Sequence, residues 1–217
     1  MSLAGRQVPD LYISEDARLI GVAAGNGQLA VNRKRPNAFT VEDWQRAASA
    51  MVLVKPDEGK ELAQPGSDRF TCKGEVCSMQ HARGGIIVAL PAGADMKPHC
   101  SSATVLVVDD ATINGRACAG SRPIILGKRD LAQNGSATIT FDQASGKPVI
   151  HHAIARPYRP WHDHRRFSRE ARGMPPYKRQ PREVPVKAGK TDGAPASASA
   201  NGAVSTSGST PPGGPEH

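Results

Sequence analysis

Nothing in this chain is apolar enough for long enough to cross a bilayer. Its longest apolar stretch, residues 86–90 (IIVAL) between Gly85 and Pro91, falls far short of the roughly 20 residues a membrane helix needs. The opening MSLAGRQVPD lacks the apolar centre of a secretory signal, so the chain taken alone is expected to stay where it is made. A phosphate-cradling glycine-rich loop, a GxGxxG turn and a nucleophile elbow are also missing. With them go the usual signatures of nucleotide binding and serine hydrolysis. No segment repeats at the periods that mark solenoids and propellers. No cofactor and no small-molecule substrate is evident, and no catalytic site is expected.

What is present is unevenly placed. The 217 residues carry a formal net charge of +8. Residues 1–150 hold 17 Lys and Arg against 15 Asp and Glu, whereas residues 156–190 hold 11 against 3. A nearly neutral body thus carries one basic strap, and a clustered excess of this kind points to a polyanionic partner. From residue 188 on, the chain is almost wholly small, polar, Gly or Pro. Such a segment cannot bury enough apolar surface to offset its ordering entropy. The expected organisation is a domain over residues 1–155, the strap over 156–187 and a disordered tail over 188–217.

Four cysteines, Cys72, Cys77, Cys100 and Cys118, carry a conflicting message. An even number suggests a disulfide framework made in an oxidising compartment, with three possible connectivities. Unpaired structural thiols and a zinc site are the rivals, although zinc usually takes two close pairs and only Cys72 and Cys77 are close. Export-dependent chemistry on a chain without an export signal is what a fragment of a longer protein would show.

Local patterns outline the elements. Residues 10–14 (DLYIS), 18–23 (RLIGVA) and 28–32 (QLAVN) read as a β-meander with hairpin chemistry at Gly25-Asn26-Gly27. A helix is expected over about 41–50, with Thr40 capping its amides and Phe39 stapled to Trp44. Residues 55–69 read as a polar loop. Beyond it, residues 70–72 and 76–80 should form a small hairpin that brings Cys72 and Cys77 to the mouth of its turn. Residues 85–90 and 104–108 are near-continuous apolar strands of the kind buried on both faces, with a short helix expected between them over 93–100, limited by Pro98 to a turn or two. A strand at 123–126, a short helix at 128–133, a strand at 137–141 and an edge at 149–154 complete an α+β chain with a mixed β-sheet.

Each motif has a bland counterpart. His162-Asp163-His164 opens like the metal motif of metallo-β-lactamase-type hydrolases, but Arg165-Arg166-Phe167 follow where further ligands are needed. His151 and His152 are adjacent on a strand and so point to opposite faces. His81 and His99 are isolated and read as exposed or hydrogen-bonded side chains. The carboxylates at Ser14-Glu15-Asp16 and Asp109-Asp110 fit turns at strand ends. No metal site is expected.

The strap has partner chemistry. Tyr158, Trp161, Phe167 and Tyr177 lie among Arg156, Arg159, Arg165, Arg166, Arg169, Arg172, Lys178 and Arg179. Cations neutralise phosphates and aromatic faces stack bases, the combination that holds single-stranded DNA. The candidate contacts are Arg156, Arg159, Trp161, Arg165, Arg166, Arg169 and Arg172. Two readings compete: the aromatics pack on the domain and leave the arginines solvated, or the strap lies on an anionic membrane surface. Prolines at 157, 160, 175 and 176 allow a helix only over 163–172.

Taken together, these segments resemble a known family. PDLYISEDARLIGVAAGNGQLAVNRKRPNAFTVEDWQRAASA is similar to the stretch after the last membrane helices of ComEC-type competence proteins of rhizobia and their relatives. FTCKGEVCSMQ, CSSATVLVVDDATINGRAC, PIILGKRDLAQNGSATITF and IARPYRPWHDHRRFSREARGMPPY look like that family's later segments, in order and spacing. The resemblance runs from Pro9 to Tyr177. It implies the C-terminal soluble region of an inner-membrane protein that passes one DNA strand into the cytoplasm during natural transformation. The channel itself and the N-terminal OB-like domain of that family are absent from this sequence, and no nuclease residues carry over. The expectation is therefore a non-catalytic accessory domain with two disulfides, Cys72–Cys77 and Cys100–Cys118. It would sit on the periplasmic side and work beside the parent's membrane channel region. A periplasmic binding module for lipid or protein, unrelated to DNA, is the alternative.

Overall fold

The computed structural model describes residues 8–24, 26–59, 67–113, 115–120, 123–154 and 159–177. The expected tail over 188–217 lies outside the described residues.

Alternating side chains build two sheets around one shared core. Strands β1 (Leu11–Ile13), β2 (Ile20–Ala23) and β3 (Gln28–Val31) form the expected antiparallel meander. Helix α1 (Ala38–Ala48) then crosses to β4 (Val52–Val54), which pairs parallel to β3. Strands β11 (Ala137–Phe141) and β12 (Pro148–His152) add to the far side of β1, completing a six-stranded mixed sheet in the order β12-β11-β1-β2-β3-β4. The second sheet comprises β5 (Asp57–Glu58), β6 (Thr71–Lys73), β7 (Val76–His81), β8 (Gly85–Leu90), β9 (Ala103–Val108) and β10 (Ile124–Gly127). Its order is β10-β9-β8-β7-β6-β5. The α+β reading holds, with two mixed sheets in place of one.

The period of two decides which side chains meet. Leu11, Ile13, Ile20, Val22, Ala30 and Ile139 of the first sheet share a buried cluster with Met79, Ile87, Ala89, Val105 and Val107 of the second. Between these residues, Val88, Leu106 and Val108 point the other way, into a second cluster with Met96, Cys100 and Cys118. Both faces of β8 and β9 are thus covered, as their unbroken apolar runs require. The outer face of the first sheet, with Tyr12, Leu29 and Val31, packs against Val41 and Trp44 of α1. Trp44 lies so close over Gly21 that a Cβ there would meet its ring at 2.8 Å.

Two local expectations are corrected. Helix α1 starts three residues early: Asn37, not Thr40, is the cap, its Oδ1 accepting from Thr40 N at 3.1 Å. Phe39 is then 72% exposed and cannot staple Trp44. The helix expected over 93–100 shrinks to a 3-10 turn, Lys97–His99, because Pro98 supplies no amide. Helix α2 (Lys128–Asn134) is as expected and drives fully buried Leu131 into the shared core.

The cysteines are paired in two disulfides, with none free. Cys72 and Cys77 stand opposite each other in the β6–β7 hairpin, their Cα atoms 4.0 Å apart. Cys100–Cys118 spans a sequence separation of 18 and ties together the two segments that cover the outer face of the second sheet. On chain-entropy grounds a loop of that size stabilises by about 3 kcal/mol.

Candidate nucleic-acid interface

The strap is two short turns, and the stretch over 163–172 that the prolines leave open to a helix is divided between them. Pro160 fixes the first residue of a 3-10 helix, Pro160–Phe167, in which no residue is buried. Ser168 then takes an extended conformation, and its Oγ accepts from Ala171 N at 3.0 Å. A serine in that geometry caps a new turn instead of continuing the old one. The second turn closes through Arg172 N to Ser168 O at 3.2 Å and Gly173 N to Glu170 O at 2.9 Å.

Backbone contacts and one arginine anchor it. Ala171 is buried, and its carbonyl accepts from Gln133 Nε2 of α2 at 2.7 Å. Gly173 comes so near Ala111 that a Cβ would lie 3.2 Å from the Ala111 carbonyl oxygen. Arg165 donates from Nε to Ala132 O at 3.2 Å, and its guanidinium also meets Glu15 Oε1 at 2.5 Å. Arg165, expected among the DNA contacts, is thus an anchor with a mostly covered side chain.

The aromatics point outward. Trp161 is 60% exposed, Phe167 74% and Tyr177 76%. The guanidinium carbon of Arg159 lies 5.2 Å from the Trp161 ring centre, and that of Arg169 lies 5.9 Å from the Tyr177 ring. Arg169 also donates to Pro175 O at 3.0 and 3.3 Å. Arg166 stands 3.9 Å from Asp163, and Arg172 is exposed. Arg156, Tyr158, Lys178 and Arg179 lie outside the described residues. The packing reading required buried rings and solvated arginines. In the described part of the strap the rings are exposed, and of the arginines only Arg165 is covered. Exposed rings beside guanidinium groups offer stacking faces and phosphate partners within one segment.

Other candidate residues are engaged structurally. His164 Nδ1 lies 2.6 Å from Trp161 O within its own turn. Among the described residues no three His, Cys, Asp or Glu side chains converge as metal ligands. Asp109 is clamped by Arg18 at 2.7 Å and Lys128 at 2.6 Å, which ties β9 to the entry of β2 and to α2.

Sequence reasoning missed a buried polar knot. Asp10 Oδ2 accepts from Phe141 N at 2.7 Å, and Oδ1 holds the Arg83 guanidinium. His81 is buried beside them, its ring stacked on Phe141 with centres 4.8 Å apart. Its Nδ1 accepts from Gly84 N at 2.9 Å and Arg83 N at 3.3 Å, so Nε2 carries the proton. Burial pushes this imidazole below its ordinary pKa, against the pull of Asp10 and with a smaller push from Arg83. The partners come from the β7–β8 turn and from β11, about 70 and 130 residues away from Asp10, and no local pattern announces them.

Two disulfides mark an oxidising compartment. Among the described residues no helix is long and apolar enough to cross a membrane. No protein-family model, no curated protein and no solved structure matches the chain.

Proposed function

We propose that this chain is a non-catalytic accessory domain of a ComEC-type DNA-uptake protein, placed on the periplasmic side of the inner membrane beside the parent's channel. Its role is to hold single-stranded DNA along the strap. The observation that carries this reading is the exposure of Trp161, Phe167 and Tyr177 among Arg159, Arg166, Arg169 and Arg172. An exposed ring in water is unfavourable by its apolar area, and a stacked base removes that area while the neighbouring cations meet phosphates. The disulfides agree with a periplasmic position, and the order of five family-like segments supplies the link to DNA uptake.

The same rings and cations also suit an anionic bilayer, where aromatic side chains settle at the headgroup level. Fluorescence anisotropy with a labelled oligothymidylate, beside sedimentation with phosphatidylglycerol vesicles, separates the two partners. The DNA reading expects saturable binding of the oligonucleotide and no pelleting with vesicles. Pelleting without oligonucleotide binding replaces it with the lipid alternative.

A further inference from the structure

The loop between β3 and α1 repeats the chemistry of the strap in a second place. Arg33, Lys34 and Arg35 are exposed there, and at the start of α1 the Phe39 ring stands 72% exposed. We propose that Arg33, Arg35 and Phe39 form a second contact for single-stranded DNA, which takes up the strand as it leaves the strap. This site rests on the strap reading above and extends it.

Charge and the ring support it. Most ions around the loop are matched: Lys34 by Glu58, Arg18 by Asp109, Asp57 by Arg69 and Asp43 by Arg46. Neither Arg33 nor Arg35 has an acidic partner among the described residues. Of the other carboxylates, Glu75 shares a cleft of about 440 Å³ with them and acts on Arg18. Glu42 lines a separate hollow with Gln45, Arg46 and Met51. Unmatched guanidinium groups on the surface are available to phosphates. Because Asn37 caps α1, Phe39 falls in the first turn and stays out of the cluster that holds Val41 and Trp44. Its uncovered area is unfavourable in water, and a stacked base would cover it. Four residues separate it from Arg35, so their Cα atoms lie at most about 15 Å apart.

Position supplies the link to the strap. Arg33 donates from Nε to Arg18 O at 2.8 Å, and Arg165 of the strap meets Glu15 Oε1 at 2.5 Å. Glu15 and Arg18 belong to the one connection between β1 and β2, with Cα atoms at most about 11 Å apart. The loop and the strap are thus fastened to the same turn. A strand that engages both behaves as a bivalent ligand, its second contact made at high effective concentration. Two phosphates and one base hold a strand only weakly by themselves, so the loop acts once the strap has bound.

Fluorescence anisotropy of the full chain with labelled oligothymidylates of about 5 and about 16 nucleotides, near the two ends of common site sizes, tests this. An Arg33→Gln, Arg35→Gln, Phe39→Ala variant should lose about tenfold in affinity for the longer strand. Its salt slope should be shallower by about 1.4, for two contacts at roughly 0.7 each. The shorter strand, confined to the strap, should bind as it does to the parent chain. All three side chains are exposed, and an unchanged Tm checks that the fold is intact. Arg33 also fastens the loop, so an Arg35→Gln, Phe39→Ala variant that keeps it should lose affinity for the longer strand in the same direction. Equal affinity of parent and both loop variants for the longer strand would overturn the second contact and leave the strap reading standing. Binding of neither strand, or binding that Arg159→Ala, Arg166→Ala and Arg172→Ala together leave unchanged, would overturn the strap reading and this extension with it.

Discussion

Arg165 reaches from the strap to Glu15, with 2.5 Å between its guanidinium and the carboxylate, while its Nε holds the Ala132 carbonyl of α2. One side chain thereby fixes the strap to both the meander and α2. Glu15 is half exposed, so the ion pair itself is worth little, and the backbone hydrogen bond contributes about 1 kcal/mol. Arg165→Ala should therefore destabilise the strap's attachment by about 1–2 kcal/mol. It should speed proteolysis between residues 154 and 177, while Arg172→Ala leaves both melting and proteolysis unchanged. If Arg165→Ala melts and resists protease like the parent chain, the anchor assignment is wrong.

The knot at Asp10 sets a pH dependence. The unfolded His81 imidazole titrates near 6.5, and burial holds the folded one lower. Below about pH 6.5 the unfolded chain binds a proton that the folded chain does not, so stability falls as pH falls, until the folded group is protonated too. His152, also pushed down by burial, adds with the same sign. Thermal melts should give a lower Tm at pH 5 than at pH 7.5, and His81→Gln should reduce that difference. A Tm that rises on acidification across this window contradicts the assignment of a neutral, buried His81.

Tyr12 offers a gain. Its ring packs on Trp44 with centres 5.7 Å apart, but its buried hydroxyl has no hydrogen-bond partner among the described residues. An unmatched buried hydroxyl costs about 1–3 kcal/mol. Tyr12→Phe should raise the Tm, because it removes that cost and keeps the ring. A lower Tm in the variant would show that the hydroxyl has a partner in solution.

Much of the fold was legible because its signals are local. The turn chemistry at Asn26-Gly27 precedes β3, and the Gly74 turn brings Cys72 opposite Cys77. The unbroken apolar runs of β8 and β9 announce burial on both faces. Strands β4 and β5 were missed inside or beside a polar loop. Three and two residues are too short to show a period, and both pair in parallel with distant partners. The division into two sheets depends on β1 pairing with β11, more than a hundred residues away, which no window of sequence contains. At the interface, composition identified the strap but could not tell Arg165, turned inward to a carbonyl and a carboxylate, from Arg172, turned to solvent. Ser168 reads as part of a helix until its hydroxyl is seen capping the next turn.

The central claim, that the strap holds single-stranded DNA, is tested most directly by the salt dependence of oligothymidylate binding. Four exposed arginines, Arg159, Arg166, Arg169 and Arg172, each neutralising one phosphate, give a log–log slope of about −2.8, at roughly −0.7 per contact. Replacing Arg159, Arg166 and Arg172 by Ala should bring the slope to about −0.7. Trp161→Ala should weaken binding by about 1–3 kcal/mol at every salt concentration without lowering the Tm. No measurable binding at about 50 mM salt, where phosphate contacts are strong, or binding that neither the arginine nor the Trp161 changes alter, would contradict the account.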